Sequence, residues 1–556
     1  MKKWLVVFLL IFIPASAHAQ SLEDTLGKIP VQNGGRIKPF QSFAKESALL
    51  ITGRTSWEKQ NSTVLIWRWI ADPQTWSAKA LIPIQNSKLR NLFSDDLANN
   101  RIAPNLVLSN LDFLKAVKAL QEKQEKEKNL TSDEKKQVEL YERARFFDEI
   151  SNARIPGLIP HPDNPQVAWL PLEALLHPQG IEILTNVFPM PEVQKLQAML
   201  PHFLSRMKEG NLAAALPSAQ AFVSSLDALL LSREIILDQR KIKLELLYLK
   251  LKPFQLTLVF YLLALFLMSF PRKRESKNVD PRLKHSGMTA GLSLFFVAFL
   301  CHTFGFVFRI LISGRPPVTN MYESIIWVSW GTALFSTIFW FFYRSPLLPA
   351  IAAAVAVIGL LVGESFPTLL DPSISPLVPV LRSNFWLTIH VLTITLGYGA
   401  FALNWGASHA LTFALAYKAK EELTENLTEY VYRSLQIGVI LLSCGTMLGG
   451  VWASYSWGRF WGWDPKETWA LIAILAYLAV MHSRTAGWLD TFGVGFWSAV
   501  CFLTVLMAWY GVNFVLGVGL HSYGFGAGGL NYVLAFVAAD IILLLFLARR
   551  FKIVNR

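Results

Sequence analysis

From residue 253 to the C-terminus, apolar stretches follow one another with little between them, and that succession restricts the chain to a membrane fold. Nine spans can be drawn, over 254–270, 291–312, 324–342, 347–363, 385–416, 434–453, 468–481, 493–516 and 530–547. A helix needs roughly 20 apolar residues to cross hydrocarbon, where backbone polar groups find no water. Some spans are shorter and one is longer, so tilt, re-entry or a helix projecting beyond the bilayer is expected. Composition agrees, with 53% hydrophobic residues among 556 and a mean hydropathy of +0.36, far more apolar than a soluble protein of this size. The predicted fold class is an all-α polytopic membrane protein of about eight to nine transmembrane helices, preceded by an exported, largely helical soluble domain.

Residues 1–19 read as a secretory signal peptide. Lys2 and Lys3 precede a short apolar run, and Ala17-His18-Ala19 offers a cleavage site. Residues 20–252 are polar enough for a water-exposed domain whose role is not legible. Within it, 115–145 carries dense mixed charge at helical spacing, and 113–120 and 226–249 look like amphipathic helices. Residues 253–290 hold a first membrane helix and a basic loop, and 291–556 form the remaining membrane domain. With the first domain outside, the inner loops hold fifteen Lys and Arg and the outer loops four, Arg315, Arg382, Arg459 and Lys466. The positive-inside rule favours that orientation. The net charge of +13 thus reports topology rather than nucleic-acid binding. Cys301, Cys444 and Cys501 all lie in apolar spans with no Cys-x-x-Cys, so the chain is neither a dithiol reductant nor itself a c-type cytochrome.

Four tryptophans, Trp457, Trp461, Trp463 and Trp469, fall within thirteen residues of a loop spanning 454–469, together with Arg459, Asp464 and Lys466. Interfacial aromatic belts are common, but here aromatic faces for a flat apolar ligand are interleaved with charges for its polar edge. The run resembles the tryptophan-rich WWD signature of haem-handling membrane proteins. The continuation Asp464-Pro-Lys-Glu-Thr-Trp469 is similar to the CcsA/ResC branch, the membrane component of system II cytochrome c synthases. The resemblance covers roughly residue 292 to the C-terminus.

That resemblance implies haem b as ligand, with two outer histidines flanking the tryptophan platform as axial ligands; His390 and His521 match them in order and context. A second, membrane pair in the family receives haem from the inner side. His482 matches one member, and His302 either stands in for the other or packs its helix. Intramembrane histidines are functional candidates by default, yet His409 has no counterpart in the family pattern and reads as structural. Arg309, Arg315, Arg382 and Arg459 are candidates for haem propionates because a guanidinium matches a carboxylate. Asp464 suits a helix cap before Pro465, and Asn320 a cap followed by Glu323.

The resemblance further implies thioether attachment of haem to the Cys-x-x-Cys-His segment of an exported apocytochrome c. The expected partners are a ResB/CcsB-like membrane subunit, apocytochrome c and a thioredoxin-like thiol reductant. The expected location is the bacterial inner membrane, with the first domain and the WWD loop on the periplasmic side. A haem exporter or chaperone that makes no bond is the first alternative, and a polytopic transporter of another substrate the second.

Overall fold

The computed structural model describes residues 21–84, 86–93, 97–126, 130–164, 167–269, 286–377, 383–516 and 529–555. It divides into two compact units, Met1–Leu251 and Lys252–Arg556.

The first unit combines helices with a small antiparallel sheet. Pro30–Asn33 pairs with Arg36–Pro39 with Val31 opposite Lys38, and on its other side with Gly157–Ile159, which pairs with Leu170–Pro171. Its core is aromatic: Phe40 stacks on Trp67, and Phe203 and Phe222 meet the same indole edge-on. The charged run expected over 115–145 is two helices, Leu111–Glu125 and Ser132–Ser151. Thr131 and Glu134 form a capping box at the second. Lys123 bonds the Glu134 carboxylate at 2.7 Å, and this bond first, then the Thr131 backbone, pulls its pKa down to about 2.

The single amphipathic helix expected over 226–249 is instead split. Leu212–Leu231 ends, Glu234 takes a left-handed conformation, and the buried Ile235 and Leu237 precede Gln239–Leu251. Among the described residues ten helices are long and apolar enough to cross a membrane. One of them, Leu212–Leu231, packs along Met190–Glu209 with Phe222 fully buried, so its apolar face is used by its own unit.

The second unit is a helical bundle. Its membrane helices are α1 (Pro253–Ser269), α2 (Ser286–Ser313), α3 (Met321–Tyr343), α4 (Leu347–Ser365), α5 (Leu392–Ala416), α6 (Glu421–Trp457), α7 (Pro465–Thr485), α8 (Thr491–Leu506) and α9 (Leu530–Val554). Two π-helical segments extend them: Leu387–Val391 leads into α5, and Met507–Leu516 continues α8. Outward faces carry Leu262, Phe266, Leu311, Phe342, Leu545 and Phe546, as a lipid-facing surface requires.

Helix α5 is the hub, packed on α3, α4, α6, α8 and α9. Small residues make this crowding feasible, since without a hydrophobic drive between helices in lipid, close backbone approach supplies the packing energy. A Cβ built on Gly399 would lie 3.2 Å from the Gly331 backbone, and one on Gly397 3.0 Å from Leu442 N.

One polar lock fixes the rim of the bundle. Glu323, on the first turn of α3, is buried and accepts from Arg309 Nη2 at 2.7 Å and from Arg315 Nη1 at 3.2 Å. It also accepts from the Thr319 amide at 2.9 Å and the Thr319 hydroxyl at 2.8 Å. The same arginines reach the carbonyls of Pro372, Ser373 and Ser375. Asn320 caps α3 through the Glu323 amide at 2.8 Å. Segments 315–320 and 372–375 are thereby tied to one carboxylate.

Candidate functional site

At one end of the bundle a cavity of about 150 Å³ is lined by residues 318–320 and the first turn of α3, the π segment before α5 and the first turns of α5, the end of α6, the tryptophan loop, the start of α7, and the π segment after α8. π turns recur at functional sites because one extra residue re-aims side chains. Both such segments of this unit line the same cavity, one through His390 and the other through Trp509 and Asn513.

His390 is set with care. Its Nδ1 lies 2.8 Å from the Gly445 carbonyl, which only accepts, so Nδ1 carries the proton. That fixes the tautomer with its lone pair on Nε2, the arrangement in which protein carbonyls orient metal-ligating imidazoles. The ring fits because α6 presents Gly449 beneath it; a Cβ there would come within 2.5 Å of His390 Cε1. Trp452 meets the imidazole edge-on at 5.7 Å.

The tryptophan loop is shorter than the 454–469 expected. Trp457 still belongs to α6 and Pro465 already opens α7, leaving only 458–464 irregular. Asp464 caps α7 through the Lys466 amide at 3.0 Å, and Glu467 completes the capping box. The Glu467 carboxylate accepts from the amides of Gly462 at 2.8 Å and Asp464 at 3.1 Å. Between them, Trp463 is held at φ +56, a conformation costing roughly 1–3 kcal/mol for a bulky residue unless its surroundings impose it. Trp463 is 69% exposed and stands perpendicular to Trp461, which lines the cavity. Trp469 lies half-buried on α7. Replacing Glu467 by alanine is therefore expected to free the loop. Amide hydrogen exchange across 458–464 should rise and α7 lose about 1 kcal/mol of capping; unchanged exchange would refute the clamp.

Two cations face the region. Lys466 lines the cavity and bonds Asn513 Oδ1 at 3.2 Å, while Asn513 donates to the Trp509 carbonyl at 2.9 Å. Arg459 lies 6.0 Å over the Trp457 ring and packs directly on Gly462, and its Nη1, 3.9 Å from Glu467 Oε1, makes an ion pair with that carboxylate without a hydrogen bond. Arg309 and Arg315, candidates on sequence grounds, are instead committed to Glu323. Arg382 and His521 lie outside the described residues.

The other histidines sit elsewhere. His482, exposed near the end of α7, bonds its own helix at the Leu478 carbonyl, 2.7 Å away, at the end of the bundle opposite the cavity. His302 is fully buried on α2 among Phe254, Tyr261 and Phe306. Helix α2 packs chiefly on α1, whereas α7 packs on α6 and α8, so His302 and His482 are not brought together. Sequence reasoning missed Gly449 and Trp452 of α6, Phe460 of the loop, and Trp509 and Asn513 of the second π segment. The usable signal was the Gly445-x-x-x-Gly449-Gly450 run in α6, a close-approach pattern in membrane helices.

A residue set of one oriented imidazole, four indoles and two cations suits a flat, metal-bearing, carboxylate-edged ligand. At 150 Å³ the enclosed space is below the roughly 300–1,000 Å³ of ordinary ligand pockets.

Known proteins of similar sequence belong to cytochrome c assembly. The family described as Cytochrome C assembly protein matches residues 318–521, from the first rim segment of the cavity to His521. Protein NrfI of Wolinella succinogenes is 29% identical over 546 residues, which is 91% of this chain and 55% of NrfI. The chain thus spans about half of that relative's length. The aligned length exceeds the 305 residues of Lys252–Arg556, so the likeness runs into the first unit as well. The cytochrome c biogenesis protein CcsA of Prochlorococcus marinus (strain MIT 9301) is 36% identical over 255 residues, 40% of this chain and 80% of that protein. Its counterpart in Synechococcus sp. (strain RCC307) is 36% identical over 294 residues, 46% of this chain and 91% of that protein. The chain belongs to the CcsA-type cytochrome c biogenesis family.

Proposed function

We propose that the cavity grips haem b by its iron, through His390, and by its face, against Trp461 and Trp463, so that its vinyl edge meets the Cys-x-x-Cys-His thiols of an apocytochrome c. The carrying observation is His390 itself: a tautomer fixed by Gly445, a ring seated on Gly449, and an opening walled by indoles. His521, on the segment following the second π turn, is the proposed opposite ligand. Arg459, whose Nη1 is ion-paired to Glu467 at 3.9 Å but makes no hydrogen bond, and Lys466 are the proposed propionate partners. Trp457, Asp464 and Trp469 hold the shelf in place. Haem supplies the vinyl carbons and an iron whose two-imidazole ligation defines its potential; the chain supplies orientation and water-poor walls. Thioether formation adds each thiol across a vinyl double bond, so no oxidant is consumed. Proton and leaving-group chemistry asks little of acids or bases here.

In this reading the cavity end faces the periplasm across a bacterial inner membrane. Support comes from the opposite end of the bundle, which carries Arg344, Lys418, Lys420, Arg484, Arg549, Arg550 and Lys552, as the positive-inside rule requires of a cytoplasmic face. His482, at that inner end, and His302 are the proposed membrane-side haem ligands, acting singly in view of their separation. A ResB/CcsB-like component is the expected partner, together with apocytochrome c and a thiol reductant.

The test is a pyridine haemochrome spectrum of the purified protein, with holocytochrome formation in a host lacking its own pathway. Wild type should carry haem and mature cytochrome c. Single alanine variants of His390 and His521 should lose the two-imidazole spectrum and maturation. Haem carriage without maturation would favour the exporter, and no Soret response to added haem would defeat both readings.

A further inference from the structure

A second polar centre lies in the membrane interior, well away from the tryptophan loop, in a recess of about 570 Å³ between α4, α5 and α9. His409 of α5 and Asp540 of α9 meet there, with His409 Nε2 3.0 Å from Asp540 Oδ1. Trp405 Nε1 donates to the same oxygen at 2.9 Å. Asp540 is 3% exposed at its side chain, yet its Oδ2 has no hydrogen-bond partner, and His409 Nε2 is not aligned to bond Oδ1. Two polar atoms are thus left unsatisfied beside an apolar recess, a costly arrangement inside hydrocarbon that marks a site by default.

We propose that this recess binds the ring of a membrane quinone or quinol. A quinol hydroxyl donates to the unpartnered Asp540 Oδ2, and the flat ring lies against Trp405 and Phe536, whose rings are 5.7 Å apart. An apolar trough of about 470 Å³ continues from His409 past Phe413 to Leu547, suited to an isoprenoid tail. Depth argues against a phospholipid headgroup. His409 is seven residues inside the end of α5, roughly 10 Å at 1.5 Å per residue, so the polar pair lies within the apolar layer. Haem is disfavoured because Asp540 Oδ1, 3.0 Å from His409 Nε2, stands where iron would have to sit in front of that nitrogen, and Nδ1 faces the Trp405 carbonyl at 2.9 Å.

The probe is 2-heptyl-4-hydroxyquinoline N-oxide, a fluorescent quinol analogue, titrated into the full chain in nanodiscs and displaced by decylubiquinol. Saturable quenching is expected. Asp540→Asn, His409→Phe and the recess-filling Ala354→Phe should each weaken binding by at least about tenfold. The last leaves the polar pair untouched, so a folding defect of the pair cannot mimic the result. Haem content of the same samples should be unchanged, which separates this site from the one at His390. Absent saturable binding, variants equal to wild type, displacement of bound phospholipid instead of probe, or a Soret signal lost in His409→Phe would each overturn the proposal.

Discussion

Leucine in place of Gly449 is expected to abolish haem binding as completely as the loss of His390. A Cβ at 449 would lie 2.5 Å from His390 Cε1, 3.0 Å from Nδ1 and 3.2 Å from Nε2, so the whole imidazole must leave its seat. The helix cannot retreat to make room. One turn earlier Gly445 already contacts the Ile394 backbone, and its neighbour Gly450 abuts the Phe460 ring. Moving His390 also breaks its bond to the Gly445 carbonyl, and loss of such an orienting bond alone costs roughly 10–100-fold in metal affinity. Helix propensity rises on replacing glycine, so α6 itself should persist. The measurement is haem content and Soret position of purified Gly449→Leu beside His390→Gly. Free imidazole should restore haem to His390→Gly, whose seat is empty, and not to Gly449→Leu, whose seat is filled. A wild-type spectrum from Gly449→Leu would mean that His390 does not hold iron from this position.

How much of this was legible beforehand follows from the physics of each signal. Apolar runs of membrane length are strong, and each of the nine drawn spans has its helix. The sixth was drawn as 434–453, but α6 runs from Glu421 to Trp457. Its first turns carry Glu421, Glu422, Glu425 and Glu429, invisible to hydropathy although helical propensity continues through them. The caps at Asp464 and Asn320 were readable because a short polar side chain before a helix has few other uses. The walls of the cavity were not. Trp452, Trp509 and Tyr398 come from three helices whose pairing no local pattern encodes. The arginines misled for a related reason. Arg309 and Arg315 were matched to an imagined carboxylate on a ligand, whereas the chain supplies its own in Glu323. An acid on the first turn of an apolar span demands a buried cation, and that demand was the available clue.

Alanine at Glu323 should be the most destabilising single change in the membrane unit. Glu323 is 1% exposed and faces two guanidiniums at 2.7 and 3.2 Å, with Arg309 1% and Arg315 5% exposed at their side chains. Surface ion pairs are worth under about 1 kcal/mol, but removing one partner of a buried pair costs about 3–5 kcal/mol because an uncompensated charge stays behind. Here two charges stay, and the Thr319 amide and hydroxyl lose their acceptor. Glutamine retains acceptor capacity for some of these donors and removes only the charge, so its loss should be intermediate. The order wild type, Glu323→Gln, Glu323→Ala is expected in the thermal unfolding midpoint of the detergent-solubilised protein. The same order should appear in haem occupancy, since Val318, Thr319 and Asn320 form one rim of the cavity and are tethered through this carboxylate. If Glu323→Ala lowers stability by less than about 1 kcal/mol, the cluster is hydrated and the rim is held by something else. If stability falls while haem occupancy does not, the lock serves the fold without setting the geometry around His390.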